Sequence, residues 1–315
     1  MAKRDPASGK DALSGQWGTL KYFGIGGLSG ICATSFMHPV DSLKVRCQIL
    51  NEDLGKRGER QLLNPWKVAN WMWKYGGIRS FYKGFDSSLL KQCTYQTARL
   101  GVYKYLYEKG VREQGHVPFF KKFQYAIVAA ISGVIVGTPA DMTMVRRQSD
   151  LSLPPTERRN YKNVFEAMGR IIRTEGVFTL WTGLPYATVR AMAICCSQLT
   201  TFEEVKERTK KWRGATHDDI YSRAAAAGVS GLATTLAALP FDNMKVKYQN
   251  MTISPDGTWP YKSLMDVLFK TYRREGVLGF WTGLPAFYLY VAPHTLISLM
   301  SMDYFLEVFS KRDKH

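Results

Sequence analysis

Three basic residues, Lys91, Arg99 and Arg190, interrupt stretches of the chain that are otherwise apolar. An ionisable side chain in such a segment is costly in a bilayer and usually faces a bundle interior or a wet cavity. Cations placed there suit an anion. Arg grips a carboxylate through two parallel hydrogen bonds, and Lys acts as a movable point charge. A second set of charges is written three times: HPVDSLKVRCQ ending at Gln48, TPADMTMVRRQ ending at Gln148 and LPFDNMKVKYQ ending at Gln249. Each copy holds a Pro (Pro39, Pro139, Pro240), an acid two residues on (Asp41, Asp141, Asp242), a basic cluster and the closing Gln. Pro bends a helix, so helices kinked at these positions around one axis converge at one end. The charges beyond the kinks then meet.

The elements that position these groups follow a second marker in phase with the first. YGGIRSFYKG ends at Gly84, TEGVFTLWTG at Gly183 and REGVLGFWTG at Gly283. Two markers with a common period of about a hundred residues indicate a triplicated architecture. Residues 22–40, 123–140, 224–241 and 276–302 carry no Asp, Glu, Lys or Arg. Each approaches or exceeds the roughly 20 residues a helix needs to cross a bilayer. Mean hydropathy is only −0.21, as expected of membrane helices around a polar interior. Each unit therefore reads as a long helix, a loop with a short amphipathic helix (residues 161–173 and 261–274 in the later copies), and a second long helix. Gly26 with Gly30, Ala129 with Gly133 and Ala227 with Gly231 are small pairs that let helices approach closely. The turns closing on Gly84, Gly183 and Gly283 start the next helix, and their backbone N–H groups suit a phosphate, hence an anionic lipid. Interfacial anchoring by Tyr82, Trp181 and Trp281 is the alternative reading.

The net charge of +17 fits solvated loops, anionic lipid headgroups or anionic substrates. It is scattered rather than gathered into one stripe, which argues against a nucleic-acid partner. Five cysteines, Cys32, Cys47, Cys93, Cys195 and Cys196, show no disulfide framework or zinc spacing. Residues 1–16 form a polar extension without the apolar core of a secretory signal. No nucleophile–base set, metal cluster or nucleotide loop stands out, so neither an enzyme nor a metal site is expected.

The repeated motif resembles the signature of the mitochondrial carrier family over nearly the whole chain. Pro39/Asp41/Lys44/Arg46/Gln48 and Pro240/Asp242/Lys245/Lys247/Gln249 match it, while Met144 stands where the middle copy needs a base. Within the family, QTARLGVY, VGTPADMTMVRR, RRNYKNVFEAMGRIIRTEGVFTLWTG and APHT are most similar to the type that exchanges 2-oxoglutarate and malate. The resemblance implies an all-α membrane protein in the mitochondrial inner membrane. Six transmembrane helices in three tandem repeats form a pseudo-threefold barrel with three short matrix-side helices. The repeats are expected over residues 17–112, 113–212 and 213–315. The resemblance further implies a matrix gate in which the acid of one repeat pairs with the base of the next. Asp141–Lys245 and Asp242–Lys44 form, Asp41 faces Met144, and Gln48, Gln148 and Gln249 brace the links. An opposite, cytoplasmic gate involves Tyr103, Lys104, Glu203, Lys206 and Asp303, with no acid–base pair complete and Lys104 opposite Lys206.

Thirteen residues before Lys104, Glu203 and Asp303 stand Lys91, Arg190 and Tyr290, which the family uses as central contact points. One and two turns on, the same faces carry Tyr95 and Arg99, Gln198, and His294. A small dicarboxylate bound by Lys91, Arg99 and Arg190 is expected, and pairing of these cations with internal acids is the weaker reading. Tyr290 replaces an Arg of the oxoglutarate type, and Lys91 replaces another. No cofactor is expected beyond bound cardiolipin. The departures at Met144, Lys104 and Tyr290 keep open a structural role in an inner-membrane complex.

Overall fold

The computed structural model describes residues 9–56, 64–153, 158–213, 220–251 and 259–312. Six long helices, α1 (Gly9–Lys56), α3 (Phe85–Gln114), α4 (Phe119–Ser149), α6 (Leu184–Arg213), α7 (Ile220–Asn250) and α9 (Leu284–Arg312), alternate with three short ones. The short helices are α2 (Pro65–Gly76), α5 (Val164–Glu175) and α8 (Leu264–Glu275), and the described residues contain no strand. At 1.5 Å per residue a 30-residue helix is about 45 Å long, more than the roughly 30 Å hydrocarbon layer. The long helices close a ring in the order α1, α3, α4, α6, α7, α9 and back to α1. Helix α1 runs back to Gly9, into the polar extension, and residues 1–8 lie outside the described chain.

Among the described helices only α4 and α7 contain an apolar window long enough to read as a span by composition alone. The other long helices carry polar groups on the face turned inward. Small residues seat the neighbours. A Cβ added to Gly133 would stand 2.9 Å from the Tyr95 carbonyl oxygen, and one on Gly231 would stand 3.0 Å from the Ala292 Cβ. Gly30 abuts Gln92, while Gly26 falls outside the described side chains.

Each short helix is set by its cap. Asn64 accepts a hydrogen bond from the Trp66 amide with Pro65 at the first position, Asn163 from the Glu166 amide, and Ser263 from the Asp266 amide. A side-chain oxygen here satisfies an amide that has no partner inside the helix. Gly77, Gly176 and Gly276 end the helices with φ of 56°, 94° and 75°, a region that favours glycine. One stripe per helix is buried, such as Val164, Ala167 and Ile171 in α5, where Ala167 and Ile171 pack with Tyr161, Leu180 and Trp181.

The aromatic-x-Gly turn has a more specific task than interfacial anchoring. Pro139 and Pro240 lie inside α4 and α7 and leave the carbonyls of Ile135 and Leu236, four residues back, without their helical donors. Trp181 Nε1 donates to the Ile135 oxygen at 2.9 Å, and Trp281 Nε1 to the Leu236 oxygen at 3.1 Å. Each indole thereby repairs the defect its own repeat's proline makes. In the first repeat Tyr82 stands at this position, its ring 5.9 Å from Phe85 and 6.1 Å from His38.

Candidate functional site

The segments after the three prolines meet at one end of the barrel. Asp141 receives Lys245 at 2.5 Å, and Asp242 receives Lys44 at 3.1 Å. Both expected inter-repeat pairs form. The three glutamines brace the acids: Gln48 donates to Asp242 at 3.1 Å, Gln148 to Asp41 at 3.0 Å and Gln249 to Asp141 at 3.3 Å. Asp41 gains no base from Met144, as expected, and instead holds Lys44 of its own helix at 3.3 Å. Met144 is turned into an apolar cluster with Val45, Ile49, Val145 and Val246. Val45, Val145 and Val246 occupy the same position in each motif copy, six residues after the Pro. They form a dry plug beside the ion pairs, and the K-V-R, M-V-R and K-V-K wording was the signal for it.

The gate is locked to the turns beside it. Arg146 makes a bidentate pair with Glu175, and Lys247 pairs with Glu275. Gly76 occupies the corresponding first-repeat position, and buried Arg46 donates instead to the Ser80 and Gln148 carbonyls at 2.9 and 3.0 Å. Glu175 and Glu275 belong to the EG marker, whose period was visible while its partner was not. Gly84, Gly183 and Gly283 adopt φ of 86°, 85° and 80°. A Cβ on Gly183 would stand 3.0 Å from Gln249, and one on Gly84 3.5 Å from Gln148, so the bracing glutamines pack directly over these turns.

A further ring of contacts lies around the gate. Lys83 pairs with Asp150 at 2.7 Å, Arg159 donates to the Asn250 carbonyl at 2.8 Å, and the Tyr261 hydroxyl donates to Glu52 at 2.7 Å. These three contacts link the first repeat to the second, the second to the third, and the third to the first. Burial and the Glu52 carboxylate push the Tyr261 phenol far above its ordinary range, so it remains a hydrogen-bond donor at neutral pH.

Behind the gate a cavity of about 760 Å³ runs to Tyr103, Lys122 and Met302, and Lys91, Tyr95, Arg99, Arg190, Tyr290 and His294 line it. The predicted contact residues with described side chains thus share one chamber; the Gln198 side chain lies outside the described residues. The internal pairing that the sequence ranked second is present for two of the three cations. Lys91 Nζ lies 2.7 Å from Asp141, and Arg190 Nε lies 2.8 Å from Asp242. These cations do pair with internal acids, because their long side chains reach down from the cavity wall onto the gate. They remain 29% and 21% exposed, against 6% and 1% for the acids, so the cavity still reaches them. On the third wall Tyr290 lies between Phe287 and His294, with ring centroids 6.5 and 5.2 Å away. Lys44 Nζ sits 4.8 Å over Phe287 and 5.9 Å from Tyr290.

Comparison with known proteins decides the family. A sequence model for "Mitochondrial carrier protein" matches residues 16–113, 115–212 and 216–313, nearly all of the chain. The chain belongs to the mitochondrial carrier family. Similar curated proteins include the human mitochondrial 2-oxoglutarate/malate carrier, 37% identical over 93% of this chain and 90% of that one. A probable carrier of the same description from Dictyostelium discoideum is 36% identical over 90% and 88%, respectively. A mitochondrial dicarboxylate/tricarboxylate transporter from Arabidopsis thaliana is 35% identical over 94% and 96%.

The residues expected at a cytoplasmic gate lie at the other end of the barrel. Lys104 lies 3.6 Å from Glu108 one turn along its own helix, Asp303 pairs with Arg223, and Lys206 lies 5.7 Å from the Phe202 ring. Tyr103 stacks on Tyr107 with centroids 6.2 Å apart, and the Glu203 side chain lies outside the described residues. The floor at the opposite end is closed by two inter-repeat ion pairs and by Gln148 on Asp41.

Proposed function

We propose that this carrier exchanges small dicarboxylates of the 2-oxoglutarate and malate class across the mitochondrial inner membrane by alternating access. The observation that carries the reading is the double engagement of Lys91 and Arg190. Each lines the cavity and each also holds a carboxylate of the floor, Asp141 or Asp242. A substrate carboxylate that takes either cation competes with the gate for it, so binding and opening draw on the same charges. Arg99 stands two turns above Lys91 and adds a second donor to that wall. The names of similar proteins, 2-oxoglutarate/malate carriers and a dicarboxylate/tricarboxylate transporter, support the substrate class. No catalytic residue enters this reading.

The floor faces the matrix in this conformation and the cavity opens toward the intermembrane side. The left-handed turns at Gly84, Gly183 and Gly283 start α3, α6 and α9 with amides suited to a phosphate, so we extend the proposal to cardiolipin at these three points. The experiment is uptake of labelled 2-oxoglutarate into liposomes loaded with malate. Exchange that needs internal malate supports the reading, and folded protein that exchanges neither acid overturns it. Co-migration with a respiratory assembly on a native gel, without exchange, would favour the structural role instead.

A further inference from the structure

The boundary between the first and second repeats lacks the motif pair that closes the other two, because Met144 stands where the base belongs. Just beyond the floor, this same boundary carries two ion pairs of opposite sense. Lys83 of the first repeat reaches Asp150 of the second at 2.7 Å, and Arg147 of the second pairs with Asp86 of the first. Both are built in. Asp150 also accepts the Arg159 and Asn160 amides at 2.6 and 3.1 Å. Asp86, in the first turn of α3, accepts the Val164 amide at 2.8 Å. Arg147 donates further to the Ser87 hydroxyl at 3.1 Å and the Lys162 carbonyl at 3.2 Å. The chain's own symmetry marks this arrangement as peculiar to one boundary. Thr182 and Thr282 stand where Lys83 does, Pro185 and Pro285 where Asp86 does, and Cys47 and Tyr248 where Arg147 does. Between the second and third repeats, the Tyr248 and Tyr186 rings meet at 6.1 Å and the Tyr186 hydroxyl donates to the Leu264 carbonyl. Between the third and the first, Asn51 donates to the Thr282 hydroxyl at 3.0 Å. Contacts that are neutral at those positions are ionic here.

We propose, on the basis of the exchange reading, that Lys83–Asp150 and Arg147–Asp86 form a clasp that replaces the missing motif pair and must release each time the floor opens. None of the four residues lines the cavity, so a substrate carboxylate there does not take their charges. Lys91–Asp141 crosses the same boundary, but the substrate competes for Lys91. With Lys91 withdrawn, the clasp still holds the first repeat to the second. Binding and opening are thereby divided between two sets of charges. The cavity cations set how tightly the substrate is held, and the clasp sets how readily the loaded floor parts. Loosening it destabilises the closed floor and leaves the cavity as it was. Its members are positioning residues and not contacts of the substrate. Asp86 is 40% exposed, so water reaches this pair from outside the floor and its loss is mild enough to leave a folded protein.

Exchange of 2-oxoglutarate for malate in liposomes, with thermal unfolding of the substrate-free protein alongside, tests the clasp in Asp86→Asn, Arg147→Gln and the double variant. Each single variant should raise the maximal exchange rate about two- to fivefold, the scale of a part-exposed ion pair, and leave KM unchanged. The double variant should move rate and Tm no further than the larger single change, because two members of one pair do not add. Arg147→Lys keeps the charge and should lie nearer the wild type than Arg147→Gln does. Unchanged or slower exchange by the folded single variants overturns the proposal, as does a change confined to KM or an additive loss of Tm. If Arg147→Gln does not fold, Asp86→Asn and Lys83→Gln, one from each pair, decide by the same rate criterion. If the wild type exchanges neither acid, the exchange reading fails separately. Hydrogen exchange at the start of α5, where Asp86 holds the Val164 amide, then judges the clasp. Faster exchange there in Asp86→Asn and in Lys83→Gln supports it, and unchanged exchange in Lys83→Gln overturns it.

Discussion

Trp281 donates its indole N–H to the carbonyl of Leu236 at 3.1 Å, the oxygen that Pro240 deprives of its helical donor. Trp181 does the same for Ile135 below Pro139 at 2.9 Å. A carbonyl left open within a membrane helix has no water to turn to. Trp281→Phe and Trp181→Phe keep the ring and remove the donor, and each should lower stability by about 1 kcal/mol. Thermal unfolding in detergent checks this, with Tyr82→Phe as the comparison that should change little. Equal effects at all three positions would show that ring packing alone matters.

The three floor acids should differ in weight despite their equivalent sequence positions. Asp141 and Asp242 each hold two cations from other repeats, whereas Asp41 holds only Lys44 of its own helix and Gln148. Removing a buried partner leaves an uncompensated charge, a loss of about 3–5 kcal/mol. Asp141→Asn and Asp242→Asn should therefore lower Tm markedly in the substrate-free protein. Asp41→Asn should cost about 1 kcal/mol, the scale of a hydrogen bond.

Glu175→Gln removes the carboxylate that Arg146 grips with both terminal nitrogens, and Glu275→Gln removes the partner of Lys247. Arg146 and Lys247 are each only 1% exposed, so neither cation can turn to water. Each substitution should destabilise by about 3 kcal/mol, read from the thermal midpoint. Retention of the wild-type midpoint in both would mean that carbonyl contacts suffice, as they do for Arg46.

The plug of Val45, Val145 and Val246 excludes water beside the ion pairs. Val145→Ser removes apolar volume and adds a hydroxyl among the buried residues of that cluster. A cost of about 1–3 kcal/mol is expected. Proteoliposomes carrying the variant should leak small ions while substrate is absent, and wild-type tightness would contradict the role of the plug.

Much of this was legible because the chain repeats itself. The period placed Lys91, Arg190 and Tyr290 at one depth on three walls, and the structure puts all three around one cavity. The pairs Asp141–Lys245 and Asp242–Lys44 followed from the same comparison, as did the missing partner of Asp41. The reach of Lys91 and Arg190 onto the floor was not legible, because it depends on side-chain length and on how far the helices converge. The Glu175–Arg146 and Trp181–Ile135 contacts were hidden for a related reason. Both members lay in periodic markers, but periodicity shows which positions are equivalent and not which ones touch. At the far end, the sequence placed Lys104 and Lys206 opposite each other, and the structure shows Lys104 beside Glu108 on its own helix and Asp303 of α9 paired with Arg223 of α7. A gate of a two-state device has no single arrangement for a sequence to specify.

The central claim is that Lys91 and Arg190 leave the gate acids for the carboxylates of the substrate. Thermal unfolding with and without a saturating dicarboxylate, in the wild type and in Lys91→Gln and Arg190→Gln, measures it most directly, because a ligand of the native state raises its stability. The account predicts a clear rise in Tm for the wild type that is abolished in Arg190→Gln and strongly reduced in Lys91→Gln. An undiminished rise in both variants would contradict it.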